Sequence, residues 1–359
     1  MSTRPAGNRS LWLKNPYIDV AFYSCGWILI LAPLLLYQED IYQALFYSGS
    51  FAQMRAHPEY AVPAITVLVV LVINYVHRHL TFALVYGEKD EFMSRRKTYI
   101  ALPVVFACLT VAFVHLDLFV ILLTLSVVWT MYHSVAQKYG LTRIYSRKAG
   151  YGSAWIDRGI IFSWFAWLVM ALADREKETI LKFNAGRTLM DHAGWLADLS
   201  GILSALLLVV AIAFTLIYLA EEFRNRVRIS IPKNLFVLSV LCLYTIFLYD
   251  LMIGYIVFAF SHALEYTAFV NMYVKKKYQQ RTDASSLLSR ASKHLWIYSG
   301  LFSVLIVGLC LTGMNLDGNL FSAYIVGSSF LHFLYDGWIW KLRKPDVGKP
   351  LGIGYAAAR

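Results

Sequence analysis

Five of the nine histidines in this 359-residue chain lie inside long apolar runs of sequence. An ionisable side chain is costly to place within a membrane and usually has a function there. Imidazole is the commonest protein ligand for metal ions, and it also binds haem iron. A metal centre is therefore the first chemistry to consider, and its candidate ligands are His77, His79, His133, His262 and His332.

Three of these histidines are followed by polar residues at helical spacing. Residues three or four positions apart lie on one face of a helix, so each pair would project to the same side. Carboxylates and amides in such positions either bind a metal directly or orient a neighbouring imidazole. The candidate catalytic residues are accordingly Gln137 after His133, Glu265 and Tyr266 after His262, and Asp336 after His332.

His77 and His79 are not expected to face the same centre. Two positions along a helix with 3.6 residues per turn correspond to a rotation of about 200°. One of the two should therefore point elsewhere, and the sequence leaves open which one. The polar residue one turn after His77 is Thr81.

The composition indicates which elements position these side chains. The chain is 58% hydrophobic and only 15% charged, with a mean hydropathy of +0.54. Soluble domains carry about a quarter charged residues. We therefore predict an all-α fold, a polytopic bundle of about ten transmembrane helices of about 20 residues each. The apolar runs lie at 17–37, 60–86, 98–114, 118–138, 155–173, 198–220, 234–249, 251–274, 295–313 and 320–340.

The charge distribution predicts how this bundle is oriented. The helices would form one domain over residues 17–342, between an N-terminal segment at 1–16 and a tail at 343–359 that we expect to be extended. Most of the 33 Lys and Arg fall in alternate inter-helix segments. The positive-inside rule then places both termini in the cytoplasm, in a multi-pass protein of the cell inner membrane. Because the basic residues occupy short loops, the expected partner is the lipid bilayer and not nucleic acid.

Several loop predictions follow from this topology. The segment 174–197 would be the largest outside loop, and 279–293 would be a cytoplasmic loop. Glu221 and Glu222, at the end of a helix, would be solvated.

The same topology places the histidines at one depth. The four helices that carry them would all run from outside to inside, and a basic loop follows each histidine within about 20 Å of helix. Four imidazoles would then reach a common level in the cytoplasmic half of the membrane. This convergence favours a shared metal site over four separate helix–helix hydrogen bonds.

The segment His332-Phe333-Leu334-Tyr335-Asp336 resembles a His-x-x-x-Asp pattern on a late helix of the Brp/Blh-type β-carotene dioxygenases. His77, His133 and His262 lie on earlier helices, as buried histidines do in that family. The resemblance implies that these residues bind iron around an O2-activating centre. The chain lacks the Pro-His-Gly-type first motif and has more predicted helices, so the substrate does not carry over. The segment 132–140 is also similar to a motif of uncharacterised bacterial polytopic membrane proteins.

Together these features predict a membrane-embedded non-haem iron oxygenase, or a related oxidoreductase, with one or two iron ions. Its substrate would be a hydrophobic small molecule of lipidic, isoprenoid or carotenoid-like type, and an electron donor of unknown identity is a possible partner. Two alternatives stay open. One is a haem-b electron carrier with axial histidines from two helices. The other is a His-lined transporter of protons or metal ions, although the outer halves of these helices are almost wholly apolar.

Overall fold

The computed structural model describes residues 10–42, 61–181, 184–278, 287–316, 318–342 and 344–353. All regular secondary structure in these ranges is helical, as predicted. In chain order the helices are α1 (Pro16–Ser24), α2 (Ile28–Leu36), α3 (Gln38–Tyr42), α4 (Ala61–Gly87), α5 (Lys89–Ser94), α6 (Arg96–His115), α7 (Phe119–Ala149), α8 (Ala154–Leu181), α9 (Asn184–Arg224), α10 (Ile231–Tyr249), α11 (Leu251–Tyr278), α12 (Leu287–Lys293), α13 (Leu295–Leu316), α14 (Gly318–Ile339) and α15 (Pro345–Gly348).

Seven helices in the described ranges are long and apolar enough to cross a membrane, namely α4 and α6 to α11. Helices α1 and α2 would form an eighth span, with a bend of 44° between them. In the most apolar 18-residue stretch of α6 and of α9, only 11% of the residues are buried. These helices therefore present apolar surface that a bilayer would cover. The predicted multi-pass membrane character is confirmed. The count of ten stays a prediction, because α13 has only a shorter apolar stretch and α14 is not among the seven.

The chain divides into two compact units, and all five intramembrane histidines belong to the one formed by Gly26–Ser134 and Ala259–Arg359. We call this the histidine unit. Within it, α14 packs against α4, α6 and α13, and α2 packs against α4. Gly327 allows the close approach of α14 to α6, because a Cβ there would lie 3.2 Å from the side chain of Thr110.

The other unit consists of Met1–Cys25 and Val135–Phe258. Helices α8 and α9 pack along one another, and α10 packs against α8 and α1. Asp250 separates α10 from α11: its backbone is extended, and its Oδ1 accepts a hydrogen bond from the Ile253 amide at 2.8 Å. The boundary between the predicted apolar runs 234–249 and 251–274 therefore lies at an aspartate that caps α11.

The prediction of a loop over 174–197 is wrong, because α8 continues to Leu181 and α9 begins at Asn184. The charged stretch 173–179, Ala-Asp-Arg-Glu-Lys-Glu-Thr, includes strong helix formers and contains no Gly or Pro. Its charges therefore did not end the helix. The tail is not simply extended either. It forms α15, and its Leu351 is fully buried. Of the predicted cytoplasmic loop at 279–293, the part from Leu287 is helix α12, and 279–286 lie outside the described residues.

Candidate metal centre

Four imidazole rings, one from each of α4, α7, α11 and α14, form a closed ring of contacts within the histidine unit. The ring centroids are 5.0 Å apart for His77–His262 and for His77–His332, 5.1 Å for His133–His262, and 4.9 Å for His133–His332. These pairs meet edge to face, and His262 lies 6.3 Å from His332 across the ring. The structure thus brings together four of the five histidines singled out from the sequence.

The donor atoms of this ring lie close enough to share a metal ion. One nitrogen from each of His77, His262 and His332 lies within 4.8 Å of the others, and the same holds for His133, His332 and Asp336. Metal–donor bonds of about 2.0–2.2 Å place neighbouring donors roughly 3–3.5 Å apart. A modest contraction of the ring would therefore give a bonding geometry.

Asp336 places its two oxygens in different surroundings. Its Oδ1 accepts hydrogen bonds from the hydroxyls of Thr81 at 2.9 Å and Tyr266 at 2.7 Å. Its Oδ2 lies 3.5 Å from His133 Nε2 and 3.8 Å from His332 Nε2. One oxygen is thus anchored, while the other faces the imidazoles as a negatively charged donor.

Thr81 also forms a hydrogen bond with His332. Its Oγ1 lies 2.7 Å from His332 Nδ1. A hydroxyl has a single proton, and where Thr81 donates that proton to Asp336, its oxygen accepts a hydrogen bond from His332. In that arrangement the imidazole proton is on Nδ1 and a lone pair is left on Nε2. Metal-binding histidines are commonly held in this way by a hydrogen bond to their other nitrogen.

Two nitrogens of the ring show that its residues fit a metal ion. His133 Nε2 and His332 Nε2 are buried and have no hydrogen-bond partner in the described part of the chain. Each buried unsatisfied polar atom costs about 1–3 kcal/mol. A metal ion bound to both nitrogens would remove that cost and would also neutralise Asp336.

Two other predicted site residues, His79 and Glu265, are not among the converging donors. His77 joins the ring, whereas the His79 side chain bonds Tyr324 and the Tyr75 carbonyl oxygen. Glu265 is buried, accepts a hydrogen bond from Ser261 at 2.7 Å, and belongs to neither group of metal donors. Gln137 lies one turn beyond His133 on α7, in the other compact unit.

Two residues that help to organise the centre did not stand out in the sequence. Thr81 was visible there as a companion of His77, yet its bonds reach His332, Asp336 and Tyr266 from far along the chain. Trp340 donates its indole N–H to the Tyr266 hydroxyl at 3.3 Å. A tryptophan near the end of an apolar run is also typical of a membrane interface.

Comparisons with known proteins leave the centre to be judged on its own geometry. The chain matches no family model, no curated protein and no solved structure.

A second group of buried charges lies in the other unit. Lys233, at the start of α10, is fully buried. Its Nζ lies 2.8 Å from Glu222 Oε1, 3.5 Å from Asp157 Oδ1 and 3.9 Å from Glu221 Oε2. Arg143 forms a further ion pair with Asp157. These contacts join the starts of α8 and α10 to the end of α9.

The expectation that Glu221 and Glu222 are solvated is wrong for Glu222, which is only 6% exposed. Its charge is balanced by Lys233, which follows on the next helix. Tyr151, in the turn between α7 and α8, donates a hydrogen bond to Glu222 at 2.7 Å. Burial, together with this bond to a carboxylate, raises the pKa of the Tyr151 phenol.

Proposed function

We propose that this protein is a membrane-embedded, metal-dependent oxidoreductase, specifically a non-haem iron oxygenase that acts on a lipidic or isoprenoid substrate. The observation that carries the proposal is the convergence of four imidazoles and one carboxylate from four helices. The hydrogen bond between Thr81 and His332 Nδ1 supports it further, because it leaves His332 Nε2 to bind a metal. Imidazole and carboxylate donors with an open position are the ligand set for Fe(II) and O2 chemistry.

The geometry favours one ion over two. His332 belongs to both groups of donors, but its Nδ1 is occupied by Thr81. Only Nε2 is left to bind a metal, so both groups would converge on a single ion. Five donors around an octahedral ion would leave one position for an exchangeable ligand.

The same geometry favours a small ion over haem. Two axial histidines bind haem iron from opposite faces of the porphyrin. The space around the iron, between the two imidazoles, must therefore be open for the macrocycle. Here His77 and His133 lie about 5 Å from both His262 and His332, in the space that the macrocycle would occupy.

In this proposal, the chain holds the ion, orients it and shields it from water. Bound iron would supply the one-electron chemistry needed to activate O2. His77, His133, His262, His332 and Asp336 Oδ2 would be its ligands. Thr81 and Tyr266 would keep the carboxylate of Asp336 turned toward the imidazoles. The mainly buried, membrane-embedded position of the ring suits a substrate that enters from lipid.

The location and partners belong to the same proposal. The chain would lie in the cell inner membrane with ten spans and both termini in the cytoplasm, as the positive-inside rule predicts. Its partners would be the bilayer, a hydrophobic small molecule and an external electron donor.

Metal content of the purified protein is the direct test. We expect about one iron per chain by elemental analysis, and a loss of most of it in His332→Ala, because that change removes the donor shared by both groups. His79→Ala is the matched control, since it removes an imidazole from the same helix as His77 but outside the ring, and it should retain its iron. A wild-type protein without iron, or equal iron loss in both variants, would contradict the proposal.

A further inference from the structure

A cavity of about 370 Å³ lies in the histidine unit between α4, α6 and α14. Its walls are mainly apolar and include Phe82, Phe106 and Leu331. Ala107 and Tyr324 are exposed at its rim, so it opens toward the surroundings of the helices. Volumes of 300–1,000 Å³ are typical of small-molecule sites.

The cavity lies on different faces of α4 and α14 from the metal ring. His77 and His79 are about 200° apart around α4. His77 belongs to the ring, whereas the His79 side chain bonds Tyr324 of the cavity wall. On α14, Leu331 lines the cavity and the next residue, His332, joins the ring. The cavity is thus a second site.

His79 determines which way the Tyr324 hydroxyl is directed. His79 Nδ1 lies 2.6 Å from the Tyr75 carbonyl oxygen, which can only accept, so Nδ1 carries the proton. Nε2 must then accept the proton of the Tyr324 hydroxyl. In the described part of the chain, the Tyr324 oxygen is left with lone pairs and no proton to donate.

The other hydroxyls that line the cavity are used in the same way. Tyr86 donates to the Tyr99 carbonyl oxygen at 2.8 Å, Thr110 to that of Phe106 at 2.8 Å, and Ser328 to that of Ile325 at 3.1 Å. Among the described residues that line the cavity, each hydroxyl proton therefore goes to a protein acceptor. Tyr324, exposed at the rim, offers its oxygen to the cavity as a hydrogen-bond acceptor.

We propose that this cavity binds an apolar alcohol, a hydrocarbon with a hydroxyl group that donates a hydrogen bond to the Tyr324 oxygen. A ketone, an ether or a carboxylate would bring acceptor oxygens against acceptor oxygens and leave them unsatisfied. An ammonium group could donate, but burying its charge in an apolar cavity is costly. The binding needs no metal and does not rest on the proposed oxygenase activity.

The test is photo-crosslinking of the full chain in phosphatidylcholine nanodiscs with a diazirine-bearing dodecanol, mapped by mass spectrometry. We expect labelling of the cavity walls. Dodecanol should compete about tenfold better than dodecyl methyl ether or dodecanoate, because only the alcohol makes the hydrogen bond. Tyr324→Phe should abolish this preference while the ring still fills its place. Ala107→Trp should block labelling by closing the rim.

Iron content and thermal unfolding of both variants check that they are folded, and they separate this inference from the metal proposal. Equal competition by the alcohol and the ether in the wild-type protein would overturn the inference. So would a preference that persists in folded Tyr324→Phe, or labelling that folded Ala107→Trp does not reduce.

Discussion

Thr81 connects His332 of the metal ring to Asp336 and Tyr266. Its hydroxyl bonds Asp336 Oδ1 and His332 Nδ1 and lies 2.6 Å from the Tyr266 hydroxyl. It is fully buried, so water cannot replace these bonds. Its role is to position two candidate ligands, since it directs one oxygen of Asp336 and one nitrogen of His332 toward the centre.

Replacing Thr81 with Val keeps the shape of the side chain and removes the hydroxyl. We expect iron affinity to fall about 10- to 100-fold, the usual effect of losing a hydrogen bond to a metal ligand. Thr81→Ser should keep wild-type affinity, measured by metal titration. Thr66→Val is the matched control, because Thr66 is buried on the same helix and its hydroxyl donates to the Val62 carbonyl oxygen of that helix at 2.8 Å. If Ser and Val at position 81 weaken binding equally, the hydroxyl is not what positions the ligands.

At this scale the sequence was informative about residue types and less so about their partners. It identified the four histidines of the ring and Asp336, because polar groups in apolar runs are conspicuous. It did not separate His77 from His79, since that depends on how α4 is turned toward its neighbours. Glu265 belongs to neither group of metal donors, because helical spacing shows which residues share a face and not what that face contacts. The role of Gln137 stays a prediction.

Among the helices, α10 is fixed at its start by a buried charge. Lys233 Nζ is surrounded by three carboxylates and lies over the rings of Tyr151 and Tyr218, at 4.9 and 4.8 Å from their centroids. A buried ammonium group is stable only where nearby carboxylates balance its charge. The group thus holds the ends of α8, α9 and α10 in register.

Lys233→Met should destabilise the protein by about 3–5 kcal/mol, because it leaves the buried carboxylate of Glu222 without its cation. The double variant Lys233→Met/Glu222→Gln should recover part of the loss. Lys14→Met, at an exposed lysine of the same unit, should change stability by less than about 0.5 kcal/mol. Thermal unfolding in detergent measures all three. A loss in Lys233→Met no larger than that in Lys14→Met would show that the group contributes nothing to stability.

The positions of the helices were largely predictable because hydropathy reports the membrane environment directly. Where the prediction failed, at 174–197, charge was taken to mean a loop, although the local residues favour helix. The burial of Lys233 could not be predicted either. It depends on carboxylates from two other helices, and no spacing rule within one helix reveals them.

Across the whole molecule, the proposed orientation is open to a direct test. Green fluorescent protein fused after Arg359 should fluoresce, because it folds in the cytoplasm, and alkaline phosphatase at the same place should be inactive. Phosphatase inserted at position 182 should be active, because the predicted topology places this position outside. The reverse pattern would overturn the predicted topology while leaving the metal ring untouched.

The two-residue spacing of His77 and His79 ties both sites to one helical register. A single residue inserted between them would turn the rest of α4 by about 100° relative to His77. Thr81 would then lose its partners in the ring, and His79 would lose Tyr324, in the same step. Substitutions can remove either site alone, whereas a change in chain length here removes both. We therefore expect α4 to tolerate changes of residue between positions 77 and 81 far better than any insertion or deletion.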